Sequence, residues 1–344
     1  MPKLLVITGA TASGKTEYAI RLAEQMHVPV INADSRQIYR DLPIGTAAPT
    51  AEEQARVKHY LVATHSLDQS YNAGMFERDA LRIIQSLIDE KTPHSQPVNG
   101  PLTAHQRPIN ESILDHTQGQ HEVFTDFYRG LDSVVAIVCG GSMLYIDALC
   151  NGLDDIPEVP AAVRQQLGEQ YRANGLLWLQ TEVQRLDPDY WQVVDRQNPQ
   201  RLLHCVELCR VTGGTYSSLR KQSKQQRPFD ISLKVITRPR EEIYERINAR
   251  VTKMIDAGLL DEADRAFRLT LGDNYRSMTF DRAFYMLPNS LRTVGYQELL
   301  PYFLGDTSLA AAADLIRQNT RHYAKRQLTW WRNRQNDIGK SKAE

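Results

Sequence analysis

Residues 3–16, KLLVITGATASGKT, join a short apolar run to a glycine-rich turn. The apolar, β-branched run is typical of a buried parallel strand. Gly9 to Thr16 matches G-x-x-x-x-G-K-[ST] in full, and EYAIRLAEQM behind it has helical periodicity. A phosphate-binding loop between a strand and a helix predicts an α/β protein, with a parallel sheet flanked by helices as in P-loop NTPases.

The composition of this loop predicts that it holds a di- or triphosphate. Glycines let successive backbone N–H groups point inward at phosphate oxygens, and the dipole of the following helix favours the anion. Lys15 is expected to neutralise the terminal phosphate, while the Thr16 hydroxyl is expected to ligate Mg²⁺. The expected phosphate-binding residues are Gly9, Ala10, Thr11, Ala12, Ser13, Gly14, Lys15 and Thr16.

An acidic residue at the end of a core strand is a second signature of many nucleotide hydrolases. The later core strand, SVVAIVCGGS at 133–142, ends in Gly-Gly-Ser without an acid. Asp34, in VPVINADSRQIYRDLPIGTAAPT, is the acid at a strand end close behind the loop. It could contact Mg²⁺ or take a proton from an acceptor. The alternative is that Asp34 caps a helix, because Asp-Ser often begins one.

The overall composition is that of an ordinary globular protein without a global field for nucleic acid. Lys plus Arg and Asp plus Glu are equal at 41 each, so affinity for nucleic acid must come from local clustering. No apolar run is long enough for a membrane span and the N-terminus is unlike a signal peptide, so we expect a cytoplasmic protein. Buried free thiols, rather than zinc ligands or disulfides, are expected for Cys139, Cys150, Cys205 and Cys209.

Seven blocks of the sequence resemble the bacterial tRNA dimethylallyltransferases, in the same order. They are GATASGKT, DSRQIYRDLPIGTAAPT, YNAGMFERDA, GGSMLYIDALCNGL, DPDYWQVVDRQNPQRLLHCVEL, LRTVGYQEL and NTRHYAKRQLTWWR. The resemblance covers nearly the whole chain except about residues 92–132. Ser142 stands where the family usually has threonine, which keeps the hydroxyl, and Ala10 stands where proline is usual.

This resemblance implies that the loop holds the pyrophosphate of dimethylallyl diphosphate rather than ATP. The implied acceptor is N6 of adenosine 37, beside the anticodon of a tRNA. Asp34 would be the general base, and Lys15, the loop and Mg²⁺ would stabilise the leaving pyrophosphate. Arg250 would support the same pyrophosphate; the alternative is that Arg240, Arg246 and Arg250 form a solvated helix face.

A basic segment near the C-terminus favours RNA binding on physical grounds. Residues 317–334 hold six Lys or Arg residues and no acid, and Arg317, Arg321 and Lys325 recur every four residues on one helix face. For Trp330 and Trp331 we expect packing in the core. By resemblance, with the target base flipped toward Asp34, the tRNA contacts are Asp34, Ser35, Arg36, Gln37, Ser142, Arg164, Gln200, Arg201, Leu202, Arg292, Gly295, Tyr296, Arg321, Lys325 and Arg326.

The order of the predicted elements describes a core interrupted by helices. Residues 1–153 form the first part of the α/β core, and 154–230 a helical, tRNA-binding insertion broken by NG, DP and GG signals. SLKVIT at 232–237 returns as a strand, so 231–334 is expected to complete the core and end in the basic helix. A tail follows at 335–344, and we expect a monomer.

Residues 92–132 depart from the family, which usually crosses this region in a short turn. The segment is polar and carries four prolines and four histidines. Irregular spacing and the lack of cysteine argue against a zinc site for His94, His105, His116 and His121. We expect a surface insertion near the rim of the active site.

Two other classes of function remain open from the residues alone. A small-molecule P-loop kinase would place ATP in the loop and use Asp34 to activate a hydroxyl, but it leaves the basic C-terminal helix unexplained. A non-catalytic, nucleotide-switched RNA-binding protein would show nucleotide-dependent RNA affinity that is indifferent to Asp34→Ala.

Overall fold

The computed structural model describes residues 1–91, 133–154, 156–220 and 225–334. The predicted insertion at 92–132, with its four histidines, and the predicted tail lie outside the described residues. The chain divides into two compact units, one formed by Met1–Cys150 with Arg227–Glu344 and the other by Asn151–Gln226.

The first unit is built on a parallel sheet with the strand order β3-β2-β4-β1-β5. The strands are β1 Lys3–Gly9, β2 Val30–Asn32, β3 His59–Tyr60, β4 Val134–Gly140 and β5 Asp230–Ile236. Every residue of β1 and β4 is buried, which is why both read as uninterrupted apolar runs. The predicted α/β fold is confirmed, and β5 begins two residues before the predicted SLKVIT strand.

Helices flank this sheet in the first unit and also make up the second unit. They are α1 Lys15–Met26, α2 Ala51–Arg56, α3 Ala73–Lys91, α4 Met143–Asn151, α5 Ala161–Leu186, α6 Pro188–Val193, α7 Pro199–Thr212, α8 Tyr216–Leu219, α9 Arg240–Asp256, α10 Leu259–Leu271, α11 Phe280–Met286, α12 Leu300–Leu304 and α13 Leu309–Arg334. Within 1–91, 133–154, 156–220 and 225–334, no helix has the length and apolar character needed to cross a membrane.

The core of the first unit packs α1 onto the sheet. Leu5 and Ile7 from β1, Ile20 from α1 and Ile137 from β4 are all completely buried in one cluster. This contact fixes the start of α1 directly behind the end of β1, so the loop between them is held at both ends.

The described residues of the second unit form helices joined by irregular segments, without a strand. Leu167, Leu179 and Val183 of α5 pack against Leu202 and Val206 of α7. The predicted NG break is confirmed inside α5, where the backbone of Gly175 is non-helical (φ 74°, ψ -173°) and a kink divides the helix into two segments.

All four cysteines are free and buried, as predicted. Burial raises the pKa of Cys139 to about 12, so this thiol stays neutral at physiological pH. In the second unit Cys205 and Cys209 lie close to Asp187. The carboxylate of Asp187 accepts hydrogen bonds from the backbone of Tyr190 and from Ser217, which makes it a buried helix cap.

Candidate active site

The loop between β1 and α1 has the conformation that its glycines require. Gly14 has a left-handed backbone (φ 92°) immediately before α1. Gly9 also has positive φ, and a Cβ at this position would lie 2.4 Å from the carbonyl oxygen of Ile236. Any side chain at residue 9 would therefore push β1 and β5 apart at the base of the loop.

Two arginines hold the outer side of the loop. Arg238 Nε donates to the Ser13 carbonyl at 2.6 Å, and Arg246 Nε donates to the Ala12 carbonyl at 2.7 Å. In a trans peptide the C=O and the next N–H point in opposite directions. Holding the Ser13 carbonyl outward therefore turns the N–H of Gly14 toward the interior of the loop.

Arg250 reaches the mouth of the loop, where its Nη1 donates to Thr11 Oγ1 at 3.2 Å. Arg246 and Arg250 thus both contact the loop, whereas the exposed Arg240 bonds the hydroxyl of Tyr244. The alternative of a solvated face applies to Arg240 only. Arg238, which precedes α9, was not among the predicted site residues.

The site gathers positive charge at an electrostatic cost. Burial lowers the pKa of Lys15, and Arg250 lowers it further, while Asp34 is among the groups that oppose the shift. Burial together with Arg246 likewise lowers the pKa of Arg250. Because desolvated cations are disfavoured without a partner, a bound anion would offset this cost.

Asp34 lies between the loop and the residues that follow β2. Its Oδ1 accepts hydrogen bonds from the N–H groups of Arg36 at 2.9 Å and Gln37 at 3.4 Å, so it caps the turn that begins there. The same carboxylate acts electrostatically on Lys15, so Asp34 both caps the turn and lies close to the phosphate loop. A small cavity is lined by Lys15, Thr16, Asp34 and Gln37, among others.

The Gly-Gly-Ser turn after β4 supports the Asp34 segment. Ser142 Oγ accepts a hydrogen bond from the Ser35 N–H at 2.8 Å, and the Ser142 N–H donates to the Ala33 carbonyl at 3.2 Å. The Ser142 hydroxyl therefore makes a structural hydrogen bond to the Asp34 segment. Gln37 Nε2 donates to the carbonyls of Thr46 and Ala47 at 3.1 and 2.9 Å, which ties the segment to the IGTAAPT loop.

A buried carboxylate that the sequence did not point to holds this IGTAAPT loop. Glu262 of α10 accepts the N–H groups of Ile44 and Gly45, both at 2.8 Å, and the hydroxyl of Tyr296 at 2.5 Å. Gly45 is needed here, because a Cβ would lie 2.4 Å from the Tyr296 hydroxyl.

Three predicted tRNA contacts, in addition to Ser142, are buried in this structure. The side chain of Tyr296 is fully buried, and its hydroxyl donates a hydrogen bond to Glu262. Gly295 is also buried, and its N–H donates to Glu298. In the second unit Leu202 is fully buried in the helical core. These three groups are buried in this conformation, and their contact with tRNA stays a prediction.

The other predicted RNA-binding residues of the second unit lie at its surface. Gln200 and Arg201 are exposed at the start of α7, and Arg164 lies 3.8 Å from Glu207. In the first unit the guanidinium of Arg292 lies 5.5 Å from the centre of the Phe284 ring.

The basic face of α13 is divided between packing and solvent. Arg317 bonds Thr252, and Arg321 bonds Asn248 at 2.9 Å, so both are turned toward α9 rather than fully offered to RNA. Lys325 and Arg326 are exposed. Trp331 is buried in the core as predicted, whereas Trp330 is partly buried beneath Arg334.

The fold and the site define a P-loop protein of the α/β class, with a cationic phosphate cradle and a carboxylate beside it. The sequence profile of the IPP transferase family matches residues 37–94 and 123–334. This chain belongs to that family.

Individual relatives agree with this assignment. The chain is 40% identical to tRNA dimethylallyltransferase 1 of Bacteroides thetaiotaomicron over 96% of its own length and 89% of the relative. It is 39% identical to tRNA dimethylallyltransferase 2 of Parabacteroides distasonis over 96% and 92%.

Solved structures show the same fold. The full-length tRNA isopentenylpyrophosphate transferase of Bacillus halodurans matches with a TM-score of 0.58 and 26% identity, over 97% of this chain and 88% of that one. A eukaryotic dimethylallyltransferase acting on tRNA matches with a TM-score of 0.70 over 96% and 70%, and at 20% identity it is evidence of fold alone.

Proposed function

We propose that this protein transfers a dimethylallyl group from dimethylallyl diphosphate to N6 of adenosine 37 of tRNA, giving N6-(dimethylallyl)adenosine and diphosphate. Membership of the IPP transferase family supports tRNA prenylation. The single observation that carries the mechanism is the placement of Asp34 beside Lys15 at the cavity of the phosphate loop. A base for the acceptor and a cradle for the leaving group lie at one site.

The leaving diphosphate is the group that this site is built to stabilise. As the bond between carbon and diphosphate oxygen breaks, its electron pair leaves with the diphosphate, where Lys15, Arg250 and the inward N–H of Gly14 can meet the charge. A prenyl diphosphate requires no activated water. This suits a β4 strand that ends in Gly140 without a following acid.

Asp34 is the proposed general base. The exocyclic amine of adenine is a weak nucleophile, so a carboxylate that accepts its proton as the new N–C bond forms assists the reaction. The N–H bonds from Arg36 and Gln37 fix the Asp34 carboxylate before substrate arrives.

Mg²⁺ is the proposed cofactor, and the donors present are suitable for it. Thr16 lines the cavity beside Lys15 and offers a hydroxyl oxygen, a hard ligand of the kind that Mg²⁺ takes in proteins. Thr16 would hold the ion together with the diphosphate oxygens, and the ion when bound would supply further charge neutralisation for the diphosphate.

Each unit carries residues that we propose contact tRNA: Lys325 and Arg326 are exposed in the first unit, and Gln200 and Arg201 are exposed in the second. Exposed cations suit the phosphate backbone, and the target base would be flipped out of its stack to reach Asp34. We further propose that the enzyme works as a cytoplasmic monomer.

The test is a transfer assay with purified protein, unmodified tRNA, Mg²⁺ and radiolabelled dimethylallyl diphosphate, with ATP added in a parallel tube. Label is expected in tRNA without ATP. Consumption of ATP with a small acceptor and no labelled tRNA would favour a P-loop kinase instead. Nucleotide-dependent tRNA binding without any transfer would favour an RNA-binding switch.

A further inference from the structure

Gln327 of α13 is a buried amide whose two ends are both hydrogen-bonded to the backbone of the candidate site. Its side-chain oxygen accepts the N–H of Thr11 in the phosphate loop at 2.8 Å. Its Nε2 donates to the carbonyl of Gly141, in the turn after β4, also at 2.8 Å. The residue is only 1% exposed, so loss of either partner would leave a buried polar group unsatisfied.

The two partners of Gln327 belong to opposite halves of the proposed reaction. On the diphosphate side, the hydroxyl of Thr11 accepts a hydrogen bond from Arg250. On the acceptor side, Gly141 is followed in the chain by Ser142. The hydroxyl of Ser142 accepts a hydrogen bond from the N–H of Ser35, the residue after Asp34. One amide therefore joins the group that holds the leaving diphosphate to the group that faces the nucleophile.

The surroundings indicate that this bridge is constrained. A Cβ at Gly141 would lie 2.6 Å from Gln327 Nε2, so glycine is required for the amide to reach the carbonyl. One helical turn earlier, the hydroxyl of Tyr323 donates to the same Gly141 carbonyl at 3.4 Å. The inner face of α13 thus fixes this carbonyl twice.

We propose that Gln327 is a positioning residue for prenyl transfer, setting the distance between the diphosphate cradle at Thr11 and the acceptor segment at Asp34. This inference rests on the proposed function. A displacement of about 1 Å between reacting groups can cost on the order of 100-fold in rate. The effect of losing the bridge is therefore expected in the chemical step rather than in tRNA affinity.

The test compares Gln327→Leu and Gln327→Glu with the wild type and with Gln318→Leu, an exposed glutamine on the same helix. Thermal unfolding, tRNA binding, inorganic pyrophosphate binding and single-turnover transfer are measured for each. Gln327→Leu is expected to lose roughly 100-fold in single-turnover rate. It should keep its affinity for tRNA and a folded state at the assay temperature, and Gln318→Leu should match the wild type.

Gln327→Glu adds a readout that a purely structural residue would not give. The introduced carboxylate can accept from Thr11 but can donate to Gly141 only when protonated, so the ratio of its rate to the wild-type rate should rise as pH falls. The neighbouring charges are Lys15, which lies near Gly141, and Arg250, which donates a hydrogen bond to Thr11. These cations lower the pKa of the introduced carboxyl group, so the recovery of the transfer rate is expected at acidic pH.

Wild-type rates in Gln327→Leu would overturn the inference, and so would a rate ratio for Gln327→Glu that is flat with pH. A loss of rate that only follows the unfolded fraction would also reject it. Absence of prenyl transfer in the wild type would instead reject the proposed function, so the two failures are distinguishable.

Discussion

Replacing Asp34 by asparagine separates its capping role from its proposed role as base more cleanly than truncation does. The asparagine side-chain oxygen can still accept the N–H groups of Arg36 and Gln37, which Asp34 Oδ1 accepts at 2.9 and 3.4 Å. Asparagine and aspartate cap such turns about equally well. The substitution therefore keeps the turn and removes the base.

The expected loss is in the chemical step. A positioned general base contributes roughly 100- to 10,000-fold, which corresponds to about 2.7–5.4 kcal/mol in the barrier. The free energy of unfolding should change by only a few tenths of a kcal/mol, about the scale of a neutral surface substitution. Affinity for pyrophosphate should hold or increase, because the negative charge beside Lys15 is gone.

Single-turnover transfer of labelled dimethylallyl groups to tRNA measures the chemical step directly. Asp34→Ala serves as the control, because it removes the base and also leaves the two N–H groups without their acceptor. It should lose transfer to the same degree and in addition unfold at a lower temperature. A rate for Asp34→Asn above a tenth of the wild-type rate would refute the assignment of Asp34 as base.

Three further outcomes follow from the site and its scaffold. Because burial lowers the pKa of Lys15, its charge is lost as pH rises through a value below the ordinary lysine range. Calorimetry should show pyrophosphate affinity falling there, and less so in Lys15→Arg. Arg227→Ala leaves Glu77 buried and unpaired after loss of a 2.5 Å ion pair, so chemical denaturation should show a cost of about 3–5 kcal/mol. Alanine at Lys325 and Arg326 should weaken tRNA binding and reduce its salt slope by about 0.7–0.9 per lost phosphate contact, measured by salt titration.

The parts of the site that the sequence predicts are those encoded by neighbouring residues. The loop from Gly9 to Thr16 takes its shape from its own glycines and from the strand and helix on either side of it. Asp34 could be placed because it follows a strand whose carboxyl end meets the same edge of a parallel sheet.

The parts that the sequence missed depend on partners far along the chain. Arg238 bonds Ser13, Glu262 bonds Gly45, and Gln327 bonds Thr11 across hundreds of positions. No local pattern marks an arginine, glutamate or glutamine as the holder of a distant loop. The burial of Tyr296 and Leu202 could not be predicted either, because a motif identifies recurring residues without telling which way a side chain points.

The hydrogen bonds of Arg227 make the helical unit an insertion that could be replaced as a whole. Arg227 Nε donates to the Leu149 carbonyl at 2.8 Å, and its Nη2 donates to the Ala148 carbonyl at 2.7 Å. The residues where the chain leaves and re-enters the core are therefore hydrogen-bonded to each other. Residues 151–226 are thus inserted at a join that the core closes by itself. Such an insert can be exchanged or resized without redesign of the sheet, so a protein engineer can graft a different helical unit at the same join.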